Sequence, residues 1–229
     1  MQGASVVEKR TLFADHFLFG GLPPDDLDAL LSHARVVRYL AGQKIFTKGS
    51  PGRSMMAIIS GSVRISAPST VGHHIVLAIL SAGEVFGEIA LIDGEDRTAD
   101  ATAIADCIML VLDHRDFIPF LERRADLGIL LLKLLCQRLR KIDEQIEEMM
   151  FGRLQDRIAK ALIRLAHDTG HFEGSDVTLR LSQEELASMV GATRESVNKQ
   201  LQIWQDLGVV RLSRRLIQIS DLPAIKSLT

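Results

Sequence analysis

The run Leu131–Met150, LLKLLCQRLRKIDEQIEEMM, contains neither glycine nor proline. Its apolar positions Leu132, Leu135, Leu139, Ile142, Ile146 and Met149 alternate in steps of three and four, with charges between them. A helix with that repeat presents one narrow apolar seam, which suits a second helix better than a globular core. A helix lying on its own domain ordinarily carries a broader apolar stripe. The spacing predicts a homodimer seam at least ~25 Å long, at the helical rise per residue. A helix packed on its own domain remains the alternative. MMFGRL closes the run, and Gly152 is the expected hinge.

The texture differs on either side of this helix. From about Leu22 to Leu112 the chain consists of short apolar runs ended by glycine, such as AGQKIFTKG, SMMAIISGSVRIS and HHIVLAILSAGEVFG. Several alternate with period two, as Val63 and Ile65 do against Arg64 and Ser66. Short strands separated by turns predict an antiparallel barrel or jelly roll, with APSTVG as one hairpin turn. From Arg153 helical patterns return as RLQDRIAKALIRLAHD, SQEELASMVG and TRESVNKQLQIWQDLG, and VVRLSRRLIQIS reads as two short strands around a turn. The expected class is α+β, with domains at 1–125 and 151–229 joined by a central helix at 126–150.

Composition narrows the function classes only a little. The net charge is −2, and residues 151–229 hold 11 Lys/Arg against 9 Asp/Glu, so charge alone does not announce nucleic acid. Cys107 and Cys136 have neither CxxC spacing nor clustered histidines, which points away from zinc and iron–sulfur sites. The start MQGASVVEKRTLFADH lacks an apolar core of signal-peptide length, and the most apolar run, LGILLLKLLC, is too short to span a bilayer. A cytoplasmic protein without a membrane partner is the expectation. Neither a nucleophile–base–orienter set nor a metal set is legible, so an enzyme is not expected.

One loop concentrates chemistry. FGEIALIDGEDRTA, Phe86–Ala99, holds two glycines, four acids and a single arginine. Glycine allows close backbone approach, and a helix starting at GEIAL points free N–H groups at an anion. Arg97 brings a fork of donors matched to phosphate oxygens, Thr98 a hydroxyl, and Glu88 an acceptor suited to a sugar hydroxyl. A plain Glu88–Arg97 surface ion pair would also fit these residues. FGEIALIDGEDRTADATA, however, closely resembles the phosphate-binding cassette of cyclic-nucleotide-binding domains: F-G-E-[LI]-A-L, a short loop, then R-[ST]-A. AGQKIFTKGSPGRSMMAIISGSVRIS is similar to the early strands of that family. The resemblance implies that Glu88 holds the ribose 2′-hydroxyl. It implies that Arg97 and the backbone of Gly87, Glu88, Ile89 and Ala90 hold the cyclic phosphate. Thr98 and Ala99 stand beside it, and Ile65 and Leu77 pack on the base.

The segment LSQEELASMVGATRESVNKQLQIW carries a second motif. Ser182 and Glu185 form a capping box, Gly191 turns the chain, and Thr193 caps the next helix. Val197, Leu201 and Trp204 supply the apolar side of that helix. Arg194, Glu195, Ser196, Asn198 and Lys199 remain at its exposed N-terminal end, where a recognition helix presents side chains to the major groove. An ordinary helical hairpin would look similar. The segment resembles the winged helix-turn-helix of the Crp–Fnr transcription regulators, with VVRLSRRLIQIS as the wing. The order of barrel, seam helix and this module is that family's arrangement, nearest its cAMP-receptor branch. The cysteine cluster of the oxygen-sensing branch is missing. His73 and His74 come without a matching ligand set, so neither haem nor metal is expected.

Membership implies a cyclic-nucleotide-dependent homodimer that binds a palindromic TGTGA-like site in double-stranded DNA and contacts RNA polymerase. Its half-sites would lie one helical turn apart, ~34–36 Å. Arg194 can pair bidentately with guanine and Glu195 can accept from cytosine. Lys199 stands where the family usually has arginine, keeping the charge but losing the fork. Ser182, Thr193 and Ser196 are candidate phosphate contacts. The base-contacting pair of the cAMP-receptor branch aligns with Ile142 and Asp143. Ile142 cannot hydrogen-bond, whereas Asp143 can accept from adenine N6 or from guanine N1 and N2. Both cAMP and cGMP therefore stay open, as does a regulator whose barrel is only a scaffold.

Overall fold

The computed structural model describes residues 19–68, 74–173 and 176–227. Residues 24–33, expected among the strands, form a helix instead: α1 (Pro24–His33). Pro24 sits where a helix needs no N–H partner, and Asp25 and Asp26 complement the dipole of the first turn. Leu27, Leu30 and Leu31 give it one buried face. This spacing of three and four is the helical signal within the glycine-punctuated region.

Eight strands then build two antiparallel sheets. They are β1 (Arg35–Tyr39), β2 (Lys44–Phe46), β3 (Ser54–Ser60), β4 (Ser62–Pro68), β5 (His74–Ser81), β6 (Val85–Phe86), β7 (Asp100–Ala103) and β8 (Cys107–Asp113). One sheet runs β1-β8-β3-β6 and the other β2-β7-β4-β5, a jelly-roll arrangement. β3 and β8 pair over most of their length, with Met55 opposite Leu112 and Met56 opposite Val111. Between β6 and β7 lies the short helix α2 (Glu88–Asp93). Of the expected turn APSTVG, residues 69–72 lie outside the described residues. So does His73, and only the backbone of His74 is described.

After β8 come two helices, α3 (His114–Arg123) and α4 (Ala125–Phe151), parted at Arg124, and the second contains the expected central helix at 126–150. α5 (Leu154–Thr169) follows Gly152. Next come the hairpin β9 (His171–Glu173) and β10 (Asp176–Leu179), which the sequence reading passed over, and then α6 (Gln183–Val190) and α7 (Arg194–Asp206). β11 (Val210–Ser213) and β12 (Leu216–Ile219) form the wing, and α8 (Leu222–Lys226) ends the described chain. These four strands make one sheet, β11-β12-β10-β9.

The chain divides into two compact units: residues up to Ala67 with Leu80–Arg138, and Pro68–Ile79 with Leu139–Thr229. The first is built around Phe19, Leu31, Met55, Leu110, Leu112 and Phe117. Leu127 and Leu131 of α4 join this core, so the start of the long helix does pack on its own domain. The second is built around Leu162, Val177, Leu186, Val197, Leu201 and Trp204. Each such side chain contributes about 1.5–3 kcal/mol on burial. Among the described residues no helix is long and apolar enough to cross a membrane.

Candidate ligand pocket and nucleic-acid interface

The loop Phe86–Ala99 folds into a cradle with Glu88 and Arg97 inside and its other three acids exposed. Gly87 enters α2 with φ 79°, a left-handed conformation. A Cβ there would stand 2.5 Å from Arg97 Nη1, so only glycine leaves the arginine room. Gly52 is equally constrained, because a Cβ on it would fall 2.1 Å from that of Ala90. The far side of the loop is laced to the β2–β3 connection. Gly49 N–H donates to the Arg97 carbonyl at 2.8 Å, and Arg97 N–H to the Ser50 carbonyl at 2.8 Å.

Arg97 is only 5% exposed and Glu88 only 1%. Arg97 Nη1 donates to the Gly87 carbonyl at 2.9 Å and Nη2 to Ser54 Oγ at 3.1 Å. The Phe46 ring lies 4.3 Å from its guanidinium carbon. Burial pulls the Arg97 guanidinium below its ordinary pKa, and the charge of Glu88 pushes it back up. Glu88 Oε1 accepts from Arg138 Nη1, while Arg138 Nη2 donates to the Val85 carbonyl. Two buried atoms, Glu88 Oε2 and Arg97 Nε, have no hydrogen-bond partner among the described residues. Buried polar groups are ordinarily satisfied, so the cassette keeps one acceptor and one donor that a polar ligand could meet. Two arginines against one carboxylate leave the site at +1, which matches one phosphodiester charge.

The remaining expected pocket residues divide. Ile89 is 42% exposed, Ala90 and Ala99 are buried, and Thr98 is exposed. Ile65 is half-buried in β4 opposite Ala101. Leu77, Ile142 and Asp143 belong to the second unit, and all three are exposed there. The sequence reading missed Arg138, Phe46 and Ser54. Arg138 precedes Ile142 by one helical turn, but the neighbouring Arg140 and Lys141 hide which cation turns inward.

The apolar seam of α4 lies open. Leu132 is 62% exposed, Leu139 59%, and Ile142 and Ile146 50% each, while Leu135 is half-buried. The last seam residue, Met149, is 45% exposed and also reaches the turn between α6 and α7. A Cβ on Gly191 would lie 3.4 Å from Met149 Cε. Beside it, Glu148 accepts from Arg164 Nη1 with both carboxylate oxygens at 3.1 Å, tying α4 to α5.

The helix-turn-helix is capped at both starts. Ser182 Oγ accepts from Glu185 N–H at 3.2 Å while Ser182 N–H donates to Glu185 Oε2 at 2.9 Å, a capping box. Thr193 Oγ1 accepts from Ser196 N–H at 3.2 Å and lies 2.9 Å from Ser196 Oγ. All three candidate phosphate-contacting hydroxyls are thus engaged locally. Arg194, Glu195 and Lys199 are exposed along the first turns of α7. Arg211, Arg214 and Arg215 add exposed positive charge on the wing, a cluster visible in RLSRRL but not singled out from the sequence.

A jelly roll carrying this cassette and a winged helix-turn-helix define a transcription regulator with a cyclic-nucleotide-binding domain. Residues 36–124 match the cyclic nucleotide-binding domain, and residues 156–228 match the Crp-like helix-turn-helix domain. The chain is 34% identical to the CRP-like cAMP-activated global transcriptional regulator of Mycobacterium tuberculosis, covering 89% of this chain and 92% of that protein. It is 31% identical to the cyclic AMP receptor protein of Thermus thermophilus, over 92% of this chain and 95% of the relative. A solved CRP/FNR-family transcriptional regulator from Thermus thermophilus superposes with a TM-score of 0.72 at 31% identity, over 84% of this chain and 97% of that one. The chain belongs to the CRP/FNR family of transcription regulators.

Proposed function

We propose that the protein is a homodimeric regulator whose DNA binding is switched by a cyclic nucleotide, cAMP foremost. The observation that carries this reading is the buried pair of Glu88 and Arg97, with an unsatisfied acceptor and an unsatisfied donor in a site of charge +1. Glu88 Oε2 takes a ribose hydroxyl and Arg97 takes the cyclic phosphate. The names of the relatives, cAMP-activated regulator and cyclic AMP receptor protein, favour adenine. Asp143 supports a second reading. Asp143 is exposed on α4, and a carboxylate has two acceptor oxygens, one for guanine N1–H and one for N2–H.

The stripe from Leu132 to Met149 is the dimer seam of this proposal. Arg194, Glu195 and Lys199 read a palindromic TGTGA-like site in double-stranded DNA, while Thr193, Ser196 and Ser182 lie near the phosphates. RNA polymerase is the further partner. Titration calorimetry with cAMP and with cGMP, each followed by a DNA shift assay, tests the whole. Micromolar binding of one nucleotide together with a nucleotide-dependent shift is expected. A shift unaffected by either nucleotide would instead make the jelly roll a scaffold.

A further inference from the structure

The arginine of the cassette is held by groups that lie outside the cassette. The Phe46 ring covers the guanidinium at 4.3 Å from its central carbon. Phe46 is itself braced by the buried Phe86, with ring centroids 5.8 Å apart at 38°. The Ser54 hydroxyl and the Gly87 carbonyl each take one hydrogen from a different η-nitrogen. A guanidinium has five N–H donors, so three remain, including the buried Nε–H that has no partner among the described residues. The ring backs the guanidinium at its central carbon, and the two acceptors fix the direction of one N–H on each η-nitrogen. One edge is thereby directed before any ligand arrives, and binding does not have to order a free arginine.

We propose that Phe46 and Ser54 are positioning residues for Arg97, and that they set how selectively it grips one of the two exocyclic oxygens of a cyclic phosphate. This rests on the reading of Arg97 as the phosphate-binding group. The stack is a cation–π contact in a largely desolvated place, where such contacts are strongest. Leucine at position 46 keeps the apolar volume but loses the ring quadrupole, whereas tyrosine keeps both.

The test is calorimetric titration of the full chain with cAMP, cGMP and the two phosphorothioate diastereomers of each, in which sulfur replaces one exocyclic oxygen or the other. In the native chain one diastereomer is expected to bind better. Phe46→Leu is expected to weaken the parent nucleotide on the order of tenfold and to bring the two diastereomers toward equal affinity, and Phe46→Tyr to restore both. Ser54→Ala is expected to lose part of the discrimination and Ser54→Thr to recover it. Native affinity and native discrimination in both Phe46→Leu and Ser54→Ala would overturn the assignment. So would equal affinity of the native chain for the two diastereomers, or equal losses in Phe46→Leu and Phe46→Tyr. A native chain that binds neither parent nucleotide would overturn the pocket reading itself, and this assignment with it.

Discussion

At the scale of residues, the cassette shows how little space separates ligand binding from stability. Gly87→Ala forces a Cβ into a left-handed position 2.5 Å from Arg97 Nη1. It is expected to cost about 1–2 kcal/mol of stability, and more than that in nucleotide affinity, because the arginine must move. Urea denaturation and calorimetry on the same sample check both. Arg138→Gln leaves the buried Glu88 carboxylate without its cation. It is expected to destabilise the first unit by up to about 3 kcal/mol, the low end for a broken buried pair, since Arg138 is partly solvated. Adding Glu88→Gln is expected to recover that stability without recovering nucleotide binding. Glu88 and Arg97 were legible because they lie in one contiguous motif. Arg138 and Ser54 were not, because they arrive from 50 and 43 residues away, and one-dimensional spacing carries no record of such a meeting.

At the scale of elements, α4 serves two surfaces along its length. Its first turns bury Leu127 and Leu131 in the jelly-roll core, while Leu132, Leu139, Ile142 and Ile146 stay open. The 3-4 spacing made the open stripe visible. It could not show the buried one, because Leu127 and Leu131 fall outside that repeat. Leu139→Asp is expected to leave the circular dichroism of the chain intact and to convert a dimer to a monomer in sedimentation velocity. The start of α4 is expected to be sensitive to acid. Arg124 hydrogen-bonds Asp126 and holds its carboxyl down to about 2, from an ordinary 3.8. A depressed carboxyl stabilises the folded state above the ordinary value and loses that contribution as pH falls through the lowered one. Arg124→Ala is therefore expected to move the Asp126 NMR titration midpoint up toward 3.8 and to fray this helix end at a higher pH. α1 escaped notice for a physical reason: three buried leucines within ten residues look like another short apolar run until their spacing is resolved. The helix-turn-helix was the most legible element. Its capping box and N-cap threonine are local chemistry that the chain spells out in order.

At the scale of the whole molecule, the order of modules was readable because each announces itself differently. Glycine-ended strands, a heptad and a capped helix pair need no tertiary contact to be recognised. Base preference was not readable, because the candidate base contact Asp143 can accept from either purine. In the proposed regulator ligand and DNA are coupled, and coupling is reciprocal. The factor by which nucleotide raises affinity for a palindromic duplex is expected to equal the factor by which that duplex raises affinity for nucleotide. Two titrations of the same protein check it. At the DNA end, Arg194→Ala is expected to cost about 1–3 kcal/mol on the specific site and to blur one base pair. Footprinting against single-substituted duplexes measures both.

The charge of the pocket bears on how a message ends. Opening the ring of a cyclic nucleotide turns a diester with one negative charge into a monoester carrying close to two near neutral pH. A site built from two arginines and one carboxylate, with Glu88 and Arg97 buried, balances the first and leaves the second with an unmatched charge. In the proposed regulator the spent messenger is therefore expected to compete poorly with the fresh one, and competition titration with the ring-opened nucleotide checks it. A regulator with this pocket would follow the rate of ring opening rather than the size of the adenylate pool.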